Sequence, residues 1–87
     1  MKTYPLTVST PDGDAFRDLA VKLCLRGEAG DLAILAGHVP FVTSVRPCDC
    51  KIELEDGTVR VAHTEGGILT VGKDRVTLLS GSFLFRE

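Results

Sequence analysis

The sequence predicts an all-β domain, a small sandwich or flattened barrel of about seven to ten short strands. Three observations predict it. Apolar residues alternate with a period of two along much of the chain, and no window sustains the 3.6-residue apolar period of a helix. Gly and Pro interrupt the chain every few residues, at Pro11-Asp12-Gly13, Gly27–Gly30, Gly37, Pro40, Pro47, Gly66-Gly67 and Gly81. Its 87 residues suffice for one domain with one core.

Taken in order, Leu6–Ser9 is the first strand candidate. Asp12–Leu19 is the only stretch that tolerates a helix, and it is short. From Leu19 to Leu25 the odd positions Leu19, Val21, Leu23 and Leu25 are apolar, which predicts a single strand with Lys22 and Arg26 on its other face. Leu32–Leu35 and Phe41–Val45 are apolar runs on either side of a loop holding Gly37, His38 and Pro40. Cys48, Cys50, Ile52 and Leu54 alternate with Asp49, Lys51, Glu53 and Glu55. Asp56-Gly57 then supplies a tight hairpin turn, and Thr58–His63 resumes the alternation with Val59 and Val61 inward. A second hairpin joins Ile68–Val71 to Arg75–Leu79 through Gly72-Lys73-Asp74, and Ser82–Phe85 ends the series. The expected core is Leu6, Val8, Leu23, Leu25, Ile34, Val45, Ile52, Val59, Val61, Leu69, Val71 and Leu78.

Composition narrows the function. Ten basic residues against twelve acidic ones give a net charge of −2, so no basic field draws in nucleic acid or anionic lipid. No apolar run reaches the roughly 18 residues that span a bilayer, and Met1-Lys2-Thr3-Tyr4 opens no signal-peptide core, so the expected setting is the cytoplasm. Three cysteines, Cys24, Cys48 and Cys50, read there as free thiols that pack as small hydrophobes.

Motifs for chemistry fail on inspection. Gly67–Lys73 fits the first seven positions of a phosphate-binding loop, but Asp74 stands where Ser or Thr should hold Mg²⁺, and the segment reads as a strand. His63-Thr64-Glu65 and Pro47-Cys48-Asp49-Cys50 echo a zinc deaminase in the wrong order and spacing. A metal or thiol site needs the fold to gather His38, His63, Cys48 and Cys50. No Ser, His and acid are arranged as a nucleophile with its base. The remaining oddity is the segment 30–47, whose loop at His38 and acidic turn at Glu28–Asp31 read as a docking edge on a rigid sandwich. A stand-alone adaptor would also carry such an edge.

That segment, Gly30–Cys48, runs Gly-Asp-Leu-Ala-Ile-Leu-Ala-Gly-His-Val-Pro-Phe-Val-Thr-Ser-Val-Arg-Pro-Cys. It resembles the signature G-E-L-G-I-L-P-G-H-A-P-L-L-T-x-L-x-P-G of the ε subunit of bacterial F-type ATP synthases, the δ subunit of mitochondria. Leu6-Thr7-Val8-Ser9-Thr10-Pro11 resembles the family's opening strand, and Gly66–Val71 with Val76–Leu79 resembles its late strand pair. Asp31 stands for the usual Glu, Ala36 for Pro and Cys48 for Gly. The resemblance implies a sandwich of ten short, mostly antiparallel strands, non-catalytic, with no cofactor and no metal. It implies a place in the central stalk of a proton-translocating rotor, on the cytoplasmic face of the bacterial membrane without lipid insertion. Thr10, His38 and Thr43 are expected near the γ subunit, and Glu28 and Asp31 at the c-subunit ring. The sequence stops where the family's C-terminal helical hairpin begins. The expected organisation is therefore one β-sandwich domain over residues 1–87, without the hairpin's inhibitory switch or its ATP site, and monomeric or weakly associating when isolated.

Overall fold

The computed structural model describes residues 2–86 and contains ten strands. They are β1 (Tyr4–Thr10), β2 (Gly13–Ala20), β3 (Lys22–Gly27), β4 (Gly30–Leu35), β5 (Phe41–Val45), β6 (Cys48–Glu53), β7 (Val59–Thr64), β8 (Gly67–Val71), β9 (Val76–Ser80) and β10 (Phe83–Phe85). All pairings are antiparallel except β1 with β9. The ladder divides into two layers, β4-β3-β6-β7-β10 and β5-β8-β9-β1-β2, joined by one bridge at Gly27 and Val45. This is the all-β sandwich that the alternation predicted.

The core lies between the layers. Leu23, Leu25, Ile34, Cys50 and Ile52 face it from the first, and Leu6, Val8, Leu69, Val71 and Leu78 from the second, all buried. Alternation in each strand forces the next residue outward, so both outer faces are defined by the same register. Side chains close what the ladder leaves open. The Tyr4 hydroxyl donates to the Ile34 carbonyl at 2.7 Å, tying β1 to β4. Phe16 of β2 meets Phe85 of β10 with ring centroids 6.2 Å apart. Gly67 is demanded by close approach, since a Cβ there would stand 1.8 Å from the Leu79 carbonyl oxygen.

Three expectations are corrected. Val59 and Val61 do not enter the core: Val59 is 53% exposed and Val61 half-buried, while Ala62 and Thr64 take the inward positions. The cause is the turn. Leu54 and Thr58 close a loop of Glu55, Asp56 and Gly57, with the Gly57 amide on the Leu54 carbonyl and Gly57 at φ +89°. A three-residue loop with a left-handed third residue shifts the register by one relative to a two-residue turn, and one residue flips every side chain on β7. The helix-tolerant stretch Asp12–Leu19 is instead part of β2, which pairs along the length of β1. Finally, Leu19–Leu25 is two strands, broken between Ala20 and Lys22, and Leu19 is exposed.

Candidate functional site

The two outer faces differ in charge. On the first layer, Lys22 and Arg26 of β3, Asp31 of β4, Asp49, Lys51 and Glu53 of β6 and His63 of β7 point outward. Several of them meet partners there: Arg26 Nε lies 3.2 Å from Asp31 Oδ1, and the His63 ring nitrogens lie 3.0 and 3.1 Å from the carboxylates of Asp49 and Glu65. Exposed pairs of this kind stay hydrated and contribute little to stability.

The outer face of the second layer carries no charge on four adjacent strands. Register sets Ser44, Ile68, Leu79 and Ser9 side by side, and beside them Val42, Thr70, Thr77 and Thr7. Val42, Ile68 and Leu79 are 66%, 44% and 53% exposed. Charge stands at its two rims: on β2, where Arg17 pairs with Asp14 and Asp14 accepts from the Ser9 hydroxyl, and at the β3–β4 turn, where Glu28 accepts from Ser44. The middle of such a face can be buried without stripping water from an ionised group, and the hydroxyls of Thr7, Thr70 and Thr77 can bond a partner's backbone. It is suited to holding another protein.

The residues singled out from the sequence lie around this face rather than in it. Thr10 sits at the end of β1, where its hydroxyl donates to the Gly13 carbonyl and accepts from the Asp12 amide, shaping the β1–β2 turn. Glu28 and Asp31 flank the β3–β4 turn at the same end of the sandwich. Glu28 accepts from the Ser44 hydroxyl at 2.7 Å, and Asp31 is held by Arg26. Thr43 is half-buried on the inward side of β5, opposite Leu69. His38 lies at the other end, in the loop after β4, its ring nitrogens facing the carbonyl oxygens of Leu35 and Gly72.

The fold does not gather the four residues of a metal or thiol site. His63 is on the outer face of its layer and Cys50 on the inner one, and His38 contacts the β8–β9 turn. Among the described residues no group of three His, Cys, Asp or Glu could hold a metal ion. Cys24 and Cys48 line a groove of ≈ 610 Å³ with Arg26, Asp31, Pro47 and Lys51, where the Cys48 sulfur accepts from the Arg26 amide. Burial, and after it the neighbouring Cys48, pushes the Cys50 thiol up to about 12, far from a nucleophile's range. The segment 67–73 is β8 and its turn, an ordinary ladder strand.

The sequence matches the family model described as "ATP synthase, Delta/Epsilon chain, beta-sandwich domain" over residues 3–85. The chain belongs to this family. Among curated relatives of this δ/ε-chain domain, the ATP synthase epsilon chain of Bacillus velezensis is 36% identical over 80 residues, covering 92% of this chain and 60% of that protein. The ATP synthase epsilon chain of Bacillus thuringiensis is 34% identical over 82 residues, covering 94% and 61%. The chain thus spans about three fifths of the length of these relatives. Two solved structures share the fold. A chain of the Euglena gracilis mitochondrial ATP synthase (OSCP/F1/c-ring) superposes with a TM-score of 0.89 at 21% identity, over 95% of this chain and 53% of that one. A chain of the Tetrahymena thermophila mitochondrial ATP synthase central stalk/c-ring gives 0.78 at 15%, over 95% and 66%.

The δ/ε-chain motif at Gly30–Cys48 was legible from sequence, but the uncharged face was not named there. Its signal was present in the outward positions of β1, β8 and β9, which are Thr, Ser or aliphatic where those of β6 are Asp, Lys and Glu.

Proposed function

We propose that this domain is a non-catalytic rotor element of an F-type ATP synthase, one that docks on the γ subunit through the outer face of β5, β8, β9 and β1. The observation that carries this reading is the absence of charge across those strands, around Ile68 and Leu79. Membership of the δ/ε family supports the complex, since its relatives in Bacillus velezensis and Bacillus thuringiensis are ATP synthase epsilon chains. The β3–β4 turn with Glu28 and Asp31 lies at one end of the sandwich, where it would rest on the c-subunit ring. Thr10, His38 and Thr43 border the γ side. Torque passes through a stiff two-layered sheet, so the domain links ion flow to synthesis mechanically and needs no cofactor. The coupling ion is taken as the proton, and the site of action as the cytoplasmic face of the bacterial membrane. The domain acts as one β-sandwich unit and is monomeric when isolated from its partners.

Co-elution of the chain with the γ subunit of its own organism tests the reading. Ile68→Lys should abolish the complex, because it buries an unpaired ammonium, whereas Lys51→Glu on the opposite face should leave it intact. An intact complex with Ile68→Lys would overturn the assignment of the face.

A further inference from the structure

The loop between β4 and β5 makes no ladder contact, yet it carries the most exposed apolar residue of the sandwich edge, Val39 at 78%. Phe41 and Val42 follow at 36% and 66%. Register separates the last two: Val42 stands on the uncharged face, while Phe41, opposite Val71, takes the inward side of β5. Val39 lies in the loop three residues ahead of Val42, beyond the end of that face, and continues it as an apolar lip. Solvated apolar groups on a loop hold no fixed position unless something fixes the backbone beneath them.

His38 fixes it. Its Nδ1 meets the carbonyl oxygen of Leu35, at the end of β4, and its Nε2 lies 3.2 Å from the carbonyl oxygen of Gly72, in the β8–β9 turn. Gly72 is itself held, its amide donating to the Arg75 carbonyl at 2.8 Å. The imidazole also stands edge-on to the Tyr4 ring, with centroids 5.6 Å apart at 89°, and Tyr4 is anchored to Ile34. Three elements far apart in sequence therefore meet on one ring, and each ring nitrogen already faces a carbonyl.

We propose that His38 is a positioning residue for docking: it pins the loop to the β8–β9 turn and so presents Val39 beside Val42, without itself bonding the partner. The inference rests on the γ-docking reading above. It assigns the specificity of this edge to apolar contact, and the partner surface to an apolar one.

Amide hydrogen exchange of residues 37–42 and affinity for the γ subunit, measured on the same variants, test it. His38→Ala should speed exchange across the loop and weaken binding, each about tenfold for the loss of the imidazole's hold on the loop. His38→Gln, whose amide can still donate to one carbonyl, should recover part of both. Val39→Ser should weaken binding with exchange unchanged. Weakened binding of His38→Ala at unchanged exchange would make the imidazole a direct contact and overturn the proposal. Faster exchange with unchanged affinity would remove the lip from the interface and overturn it as well. No complex with the wild-type chain overturns the docking reading and this inference together. A complex lost in Ile68→Lys but unaffected by His38→Ala overturns the inference alone.

Discussion

Thr64 of β7 and Ser80 of β9 join their hydroxyls at 2.6 Å across the two layers, where both side chains are buried. Ser80 donates to the Ser82 carbonyl, so Thr64 must be the donor between them, and Thr64 in turn accepts from the Gly66 amide. Every polar group in this chain of bonds is satisfied, and among the described residues no buried side-chain nitrogen or oxygen lacks a partner. Thr64→Val keeps the shape and orphans the Gly66 amide. It should cost about 1–3 kcal/mol by urea denaturation. For a domain whose total stability is on the order of 4–13 kcal/mol, that is a large share. A loss below about 0.5 kcal/mol would mean water enters this end of the sandwich.

The register of β7 can be tested independently of any image of it. Ala62 stands inward opposite Cys50 and is fully buried, while Val59 is exposed opposite Glu53. Ala62→Leu should destabilise by about 1–3 kcal/mol through overpacking. Val59→Thr should stay within about 0.5 kcal/mol of the wild type. The reverse order would restore the two-residue turn and put Val59 in the core.

This position also shows where sequence reasoning runs out. Alternation located β6 and β7 correctly, because a polar-apolar period of two has one physical meaning. It could not set their phase, because Asp56-Gly57 fits both a two-residue turn and the end of a three-residue loop. The strand β2 was hidden for a different reason: Arg17 and Asp18 charge both of its faces, and the unpaired Ala15, opposite Val8–Ser9 of β1, shifts the alternation. Pairing of β1 with β9 is parallel and spans most of the chain, so no local pattern announces it. The docking face depends on that pairing, since only it places Thr7 and Ser9 beside Thr77 and Leu79. By contrast the loop at His38 stood out at once, because its Gly, His and Pro serve backbone geometry and recur as a motif.

Tyr4 is the chain's one tyrosine, so its phenolate absorbance in the ultraviolet reports a single group. Burial raises its pKa well above the ordinary phenol value of about 10, and the nearby Cys24 adds to the rise. Below about pH 10 both folded and unfolded chains keep the proton, and the full stabilisation is present. Above it the unfolded chain sheds the proton and the folded one does not, so stability falls as pH rises. The phenolate band should therefore appear only in step with loss of the far-ultraviolet circular dichroism. A reversible band near pH 10 in a folded chain would show the hydroxyl free of Ile34.

The thiols should separate by burial. Cys50 is fully buried and its pKa is pushed up to about 12, whereas Cys24 and Cys48 are half-buried along one groove. At neutral pH a disulfide reagent is opened only by a protein thiolate, which attacks one sulfur and expels the other as a thiolate. It should label Cys24 and Cys48 in the native protein and leave Cys50 silent until denaturant is added. Peptide mapping of the labelled protein reads this directly, and native labelling of Cys50 would reveal opening of the first layer.

The Asp31–Arg26 pair sets the last prediction. Its two side chains are 84% and 60% exposed, so water screens the attraction and the pair adds less than about 1 kcal/mol to folding. Asp31→Lys should leave stability nearly unchanged for that reason. It places an ammonium beside Arg26 and reverses the charge at the start of β4, on the layer opposite the uncharged face, while Glu28 of the same turn keeps its bond to Ser44. Affinity for the γ subunit should stay within about twofold, since the charge is distant and screened beyond roughly 8–10 Å at ordinary salt. Binding of the γ-bound domain to detergent-solubilised c ring should fall about tenfold or more, and added salt should recover part of it. Surface plasmon resonance against each partner separately decides the matter. Equal losses toward both would join the turn and the uncharged face in one interface, and no loss toward the c ring would leave the turn in solvent.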